Sequence, residues 1–69
     1  MEFNYNRLKG ERIAHGLTPQ DMADALEVSK ATYMKKENGA VAITVKELAI
    51  ISNRLGIEDL TIFFNLRVS

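Results

Sequence analysis

"TPQDMADALEVSKATYMKKE", residues 18–37, is the stretch that decides the fold. It opens with Thr18, Pro19 and Asp21. These are a helix N-cap, a proline at the first helical position and an acid at the third. A helix is predicted over 19–26, with Met22, Ala23 and Leu26 on one face. A second helix is predicted over 30–37. Only Glu27, Val28 and Ser29 separate the two. A connection that tight, with Ala23 small enough to let the next helix approach, makes a helix-turn-helix.

The flanking sequence carries equally clear punctuation. Gly16, Gly39 and Gly56 each follow a helical segment, where a left-handed residue can close it. Thr44 and Glu47 form a capping-box pattern. The helix they start, over 45–55, puts Val45, Leu48, Ile51 and Leu55 on one face. Further helices are expected over 4–15 and 58–64, which makes five. From the last of these, Leu60 and one or two of Ile62, Phe63 and Phe64 should fill the core. No segment alternates apolar and polar residues long enough to suggest a strand. There is no repeat and no linker. The expected architecture is one all-α domain over 1–69, with the helix-turn-helix at 18–37.

Composition narrows the function classes. Sixty-nine residues carry nine Lys+Arg and nine Asp+Glu, a net charge of zero. A chain this short buries only roughly 60% of its unfolded surface, so efficient helix packing or oligomerisation must supply stability. There is no cysteine for a disulfide or thiolate site, and the single histidine makes no zinc site alone. "MEFNYNRLKG" (1–10) lacks a signal pattern. The longest apolar run, "AVAI" at 40–43, is far too short to cross a bilayer. A soluble, cytoplasmic protein is expected, with no cofactor, metal, membrane or small-molecule ligand. His15 is the sole acid–base candidate, and no serine, cysteine or carboxylate pairs with it at a recognisable spacing. The chain reads as a non-enzyme. Zero net charge argues mildly against broad nucleic-acid binding. Local charge argues the other way, because Lys30, Lys35 and Lys36 crowd one helix. On that helix, Lys30, Ala31, Met34 and Lys35 form one face, and Tyr33 points oppositely.

The ordered set Arg12-Ile13, Gly16-Leu17-Thr18, Ala23, Val28-Ser29, Tyr33 and Glu37-Asn38-Gly39 resembles the Cro/repressor helix-turn-helix family of phage and bacterial transcription regulators. "VKELAIISNRLGIEDL" (45–60) extends the likeness over nearly the whole chain. No single position is diagnostic; the ordered set is. The resemblance implies a lambda-repressor-like domain of five helices that lays 30–37 in the major groove of double-stranded DNA. Lys30 and Lys35 would donate to guanine edges, and Ala31 or Met34 would touch a thymine methyl. Backbone contacts would come from Lys9, Thr18, Gln20, Ser29 and Asn38, several of them at helix N-termini. Arg12 and Glu37 would form a buried structural ion pair. A homodimer would form through the C-terminal end, with Phe63, Phe64, Leu66 and Val68 at the interface.

The chain departs from the family pattern at telling places. Pro19 stands where glutamine is usual, and Asp21 beside it would repel phosphate unless the cap engages it. Glu27 occupies a turn position where glycine is usual, which implies a positive φ. Lys36 replaces an apolar residue and is expected to lay its methylenes on the core and lift its ammonium to water. The loop 40–43, Ala-Val-Ala-Ile, lacks the Lys or Arg that relatives direct at the DNA backbone. These departures and the neutral balance favour a second reading. It is a protein-interaction module of the same fold, antitoxin-like or an anti-regulator, with weak DNA binding.

Overall fold

A computed structural model describes residues 2–65, and four α-helices carry the fold there. Each helix starts where a side chain takes over an orphaned backbone N–H. Asn4 accepts from the N–H of Arg7 and opens α1 (Tyr5–Ala14). Thr18 and Asp21 form a reciprocal capping box at the head of α2 (Pro19–Leu26). Ser29 caps α3 (Lys30–Glu37), and Thr44 with Glu47 boxes the start of α4 (Val45–Leu55). Three helices keep their expected bounds, whereas α1 is one residue shorter at each end than the expected 4–15, because Asn4 and His15 serve as its caps.

Leu8, Met22, Ala23, Leu26, Tyr33, Leu48, Ile51, Leu55 and Phe63 make the core. α2 sits at its centre and packs against both α3 and α4. Fully buried Ala23 keeps that approach close. Gly39, at φ 87, is required where it stands: a Cβ there would lie 3.2 Å from the Tyr5 ring.

The expected fifth helix does not form. Asp59 accepts both the N–H and the hydroxyl of Thr61 and starts a single 3₁₀ turn, Leu60–Phe63. The chain then extends. Two strands, β1 (Glu2–Phe3) and β2 (Phe64–Asn65), pair antiparallel, with Phe3 opposite Phe64. Asn4 N–H donates to the Phe63 carbonyl at 2.5 Å. The Phe3 ring stacks on Phe63 at 5.9 Å and meets Phe64 edge-on at 5.5 Å. The N-terminus thus supplies a backbone partner and an aromatic lid that helical continuation would have removed. Strands were not expected, because a two-residue strand contains no period to read.

One interface expectation and one core expectation also change, while Phe63 fills the core as one of the residues expected to do so. Phe63 is fully buried inside this one chain, so it is not part of an exposed dimer surface; Phe64 is half-buried beside it. Val45 was expected on the buried face with Leu48, yet it is 86% exposed. It is the first residue of α4, and helical side chains lean toward the N-terminus. Its side chain therefore projects past the end of the core.

Candidate nucleic-acid interface

The orientation of α3 is set by its inner side. Glu27 closes α2 in the left-handed region, at φ 58 and ψ 41, and its N–H reaches back to the Asp24 carbonyl. Val28 N–H bonds to Ala23 O, and Ser29 at once caps the next helix by accepting from Thr32 N–H. Three residues, Glu27, Val28 and Ser29, therefore suffice to redirect the chain. Tyr33 is then fully buried, and its hydroxyl donates to Glu37 Oε2 at 2.5 Å. Burial, and Glu37 beside it, push Tyr33 well above the ordinary tyrosine range, so it stays a donor. Arg12 on α1 donates through Nε to Glu37 Oε2 (2.8 Å) and through Nη2 to Oε1 (3.1 Å). Its Nη1 bonds the Leu17 carbonyl at 2.9 Å. The hydrogen bond to Glu37 raises Arg12 above its usual value, with burial opposing. One bidentate pair thus ties α1, the loop before α2 and the last turn of α3 together.

Lys36 supplies a second clamp, and here the expectation of a solvated ammonium is corrected. Its Nζ donates to Ala42 O at 3.1 Å and to Glu47 Oε1 at 3.0 Å. Glu47 Oε1 also accepts Thr44 N–H. That backbone bond, then Lys36, holds the Glu47 carboxyl below its ordinary range. The apolar loop after α3 curls over the lysine and brings a carbonyl to it, so two protein acceptors hold the ammonium. With Tyr33, Lys36 and Glu37 turned inward, Lys30, Ala31, Met34 and Lys35 face outward, all exposed. Neither Lys30 nor Lys35 has an ion-pair partner among the described residues.

The flanks differ in how much they have left to offer a ligand. At the head of α2, the Thr18 hydroxyl is taken by Asp21 N–H and the Thr18 N–H by Asp21 Oδ2 at 2.8 Å. The Gln20 amide donates to Asp24 at 2.8 Å, and Pro19 has no N–H. Asp21, held below its usual range chiefly by the Thr18 backbone N–H, is itself the anion at this helix end. The Ser29 hydroxyl is engaged with Thr32. On the other side, Lys9 and Asn38 come together with Met34 along a groove of about 290 Å³ between α1 and α3. Elsewhere, His15 Nδ1 lies 2.8 Å from the Glu11 carbonyl, and no described group of side chains could hold a metal ion. No described helix is long and apolar enough to cross a membrane.

The helix-turn-helix family model matches residues 8–62, from within α1, through α2, α3 and α4, into the 3₁₀ turn. The chain belongs to the Cro/repressor-type helix-turn-helix family of phage and bacterial regulators. It is thereby a member of a family of DNA-binding transcription regulators. No curated protein and no solved structure matches it.

Within this helix-turn-helix domain, the expected base-reading residues share one exposed face. The expected backbone contacts split: Lys9 and Asn38 converge, whereas Thr18, Gln20 and Ser29 spend their side chains on caps and on Asp24. Phe64 lines a second, apolar groove of about 280 Å³ with Phe3, Ile43, Val45 and Leu48. Leu66 and Val68, expected beside it, lie outside the described residues. Sequence reasoning missed Tyr5 and Asn6 on the groove that holds Lys9. The available signal was the spacing of Tyr5, Lys9 and Arg12, which is i, i+4, i+7 and so one stripe of α1.

Proposed function

We propose that this protein is a repressor- or Cro-like, sequence-specific regulator that binds double-stranded DNA as a cytoplasmic homodimer and reads the major groove with α3. The observation that carries this reading is the division of α3 into two sides. Tyr33, Lys36 and Glu37 are locked inward, and two lysines with no ion-pair partner among the described residues flank Ala31 and Met34 outward. A lysine free of intramolecular partners loses no ion pair when it turns to guanine O6 and N7, and Met34 offers an apolar surface to a thymine methyl. The homodimer is supported by the apolar groove at Phe64 and by the exposed Val45 on its rim. Apolar surface of that kind on a small domain marks a partner site.

Selection of bound sites from a random duplex pool tests the proposal. The expected product is a two-fold site with half-sites about one DNA turn, ~34 Å, apart. On that site, Lys30→Ala or Lys35→Ala should cost about 1–3 kcal/mol and relax preference at one base position, while Lys46→Ala does little. Equal small losses from all three would mean general electrostatics. Val45→Asp should shift sedimentation toward monomer without unfolding the chain. An unchanged monomer in both proteins would end the dimer model.

The loop Ala40-Val41-Ala42-Ile43, uncharged and clamped by Lys36, favours the second reading, a protein-interaction module of this fold with weak DNA binding. Failure of the selection to enrich any duplex would favour it.

A further inference from the structure

We propose that Lys36 is a positioning residue that fixes α3 against the surface met by a second copy of the chain, and so sets the half-site spacing the protein accepts. The proposal rests on the reading of α3 as the DNA-reading helix of a homodimer, and it names the residue that links the two surfaces. α3 and α4 both pack against α2 and hardly meet each other directly. Lys36 bridges them. Its Nζ donates to Ala42 O in the loop at 3.1 Å and to Glu47 Oε1 in the first turn of α4 at 3.0 Å. The start of the loop is tied to α3 through the backbone: the N–H groups of Ala40 and Val41 both reach Lys35 O, at 2.9 and 3.1 Å. Thr44, at its end, is tied to α4 by the capping box. Between those anchors, the Lys36 side chain makes the one hydrogen bond among the described residues that reaches Ala42 or Ile43.

The clamped segment is a wall of the apolar groove. Ala42, Ile43, Thr44 and Val45 line it together with Phe3 and Phe64. No lining residue is charged, so two copies related by a two-fold axis meet there without opposing like charges. Val45, 86% exposed on the rim, is the side chain each copy offers to the other's groove. One step back along α3, Lys35 faces outward with Lys30. The clamp and the base-reading face are thus adjacent residues of one helix. In a two-fold dimer, the separation of the two reading helices follows from how each is held against the interface. A buried cation is not needed here for packing, because an apolar side chain fills such a site without the cost of desolvating a charge. The side chains of Lys36 and Glu47 are only 9% and 19% exposed, so water competes little for the bond. What the lysine adds is a fixed geometry between α3, the loop and the head of α4.

The test measures affinity of the full chain for a series of duplexes that carry the selected half-sites at altered spacings. Each added or removed base pair moves the second half-site by about 3.4 Å and turns it by about 36°. The wild type should lose about tenfold for one such step, as for one mismatched base pair, whereas Lys36→Met should bring neighbouring spacings within about threefold of each other. Base preference within a half-site should stay the same. Lys36→Arg keeps a cation with several donors and should restore the wild-type profile. Methionine retains the apolar packing, and the Thr44–Glu47 capping box does not involve Lys36, so Lys36→Met should fold. Melting curves check this, and binding is measured well below each midpoint. If Lys36→Met does not fold, Glu47→Gln is held to the same criterion, since it keeps an oxygen for Thr44 N–H and removes the charge that holds the ammonium. A lysine with only a structural role would lower affinity by one factor at every spacing, and that parallel loss overturns the proposal. So does a Lys36→Met profile as sharp as the wild type's. A wild type that binds no duplex, or binds one half-site as tightly as two, overturns the homodimeric DNA-reading proposal and the role of the clamp with it.

Discussion

Arg12→Met is expected to cost about 3–5 kcal/mol of folding stability, the penalty for stranding one member of a buried ion pair. The side chains of Arg12 and Glu37 are only 9% and 5% exposed, so water cannot replace the missing guanidinium at Glu37. Methionine fills much of the volume that arginine vacates, and packing loss is therefore secondary. Three hydrogen bonds disappear, two to Glu37 and one to Leu17 O, while Tyr33 still donates to Glu37. At about 0.05–0.15 kcal/mol per residue, the whole domain has only about 3–10 kcal/mol to lose. For a domain this small each kcal/mol moves the midpoint by about 4–8 °C, so the melting temperature should fall by at least about 12 °C. Urea titration and thermal melting followed by helical circular dichroism read the effect. The double variant Arg12→Met/Glu37→Met should recover part of it, because no charge is then left buried; Tyr33 and the Leu17 carbonyl still lose partners. A cost below about 1 kcal/mol for Arg12→Met, the range of exposed pairs, would refute the clamp.

Glu27→Gly should raise stability by up to about 1 kcal/mol, since glycine adopts the observed left-handed conformation without strain, partly offset by its unfolded-state entropy. A loss of similar size in urea titration would show that Glu27 holds a stabilising partner. Ser52 is 3% exposed and its hydroxyl has no hydrogen-bond partner among the described residues, so Ser52→Ala should be neutral or stabilising by about 1 kcal/mol. Destabilisation in the same assay would count against that. Acid should unfold the protein through its caps. Asp21 and Glu47 are held below their ordinary values of 3.8 and 4.5, so the unfolded chain takes up protons first as the pH falls. Their contribution is present above those values and is lost as the pH drops through the lower folded ones. Urea midpoints measured downward from about pH 5 should fall, and Asp21→Asn should flatten part of that slope.

The bounds of α2, α3 and α4 follow from the sequence alone, because each is set by chemistry within four residues. Thr18 with Asp21, Ser29 with the N–H of Thr32, and Thr44 with Glu47 begin them, and Gly39 and Gly56 help to end two of them. The outward set Lys30, Ala31, Met34 and Lys35 was legible because side-chain direction follows once helix phase and the turn are known, whereas the positive φ of Glu27 was suggested by the glycine usual at that turn position in the family. The Arg12–Glu37 pair came from the family likeness and not from any spacing. The other features that depended on residues distant in the chain had to wait for the tertiary structure. The 3₁₀ turn and β2 exist because the first residues of the chain reach Phe63 and Phe64, an influence that no local window over 58–64 contains. Lys36 looked like a snorkelling side chain until loop 40–44 brought Ala42 O and Glu47 to its ammonium. Val45 fits the apolar period of α4 but lies beyond the end of the core that would bury it. Periodicity states which side of a helix a residue occupies; only the packing of the other elements decides whether anything is there to meet it.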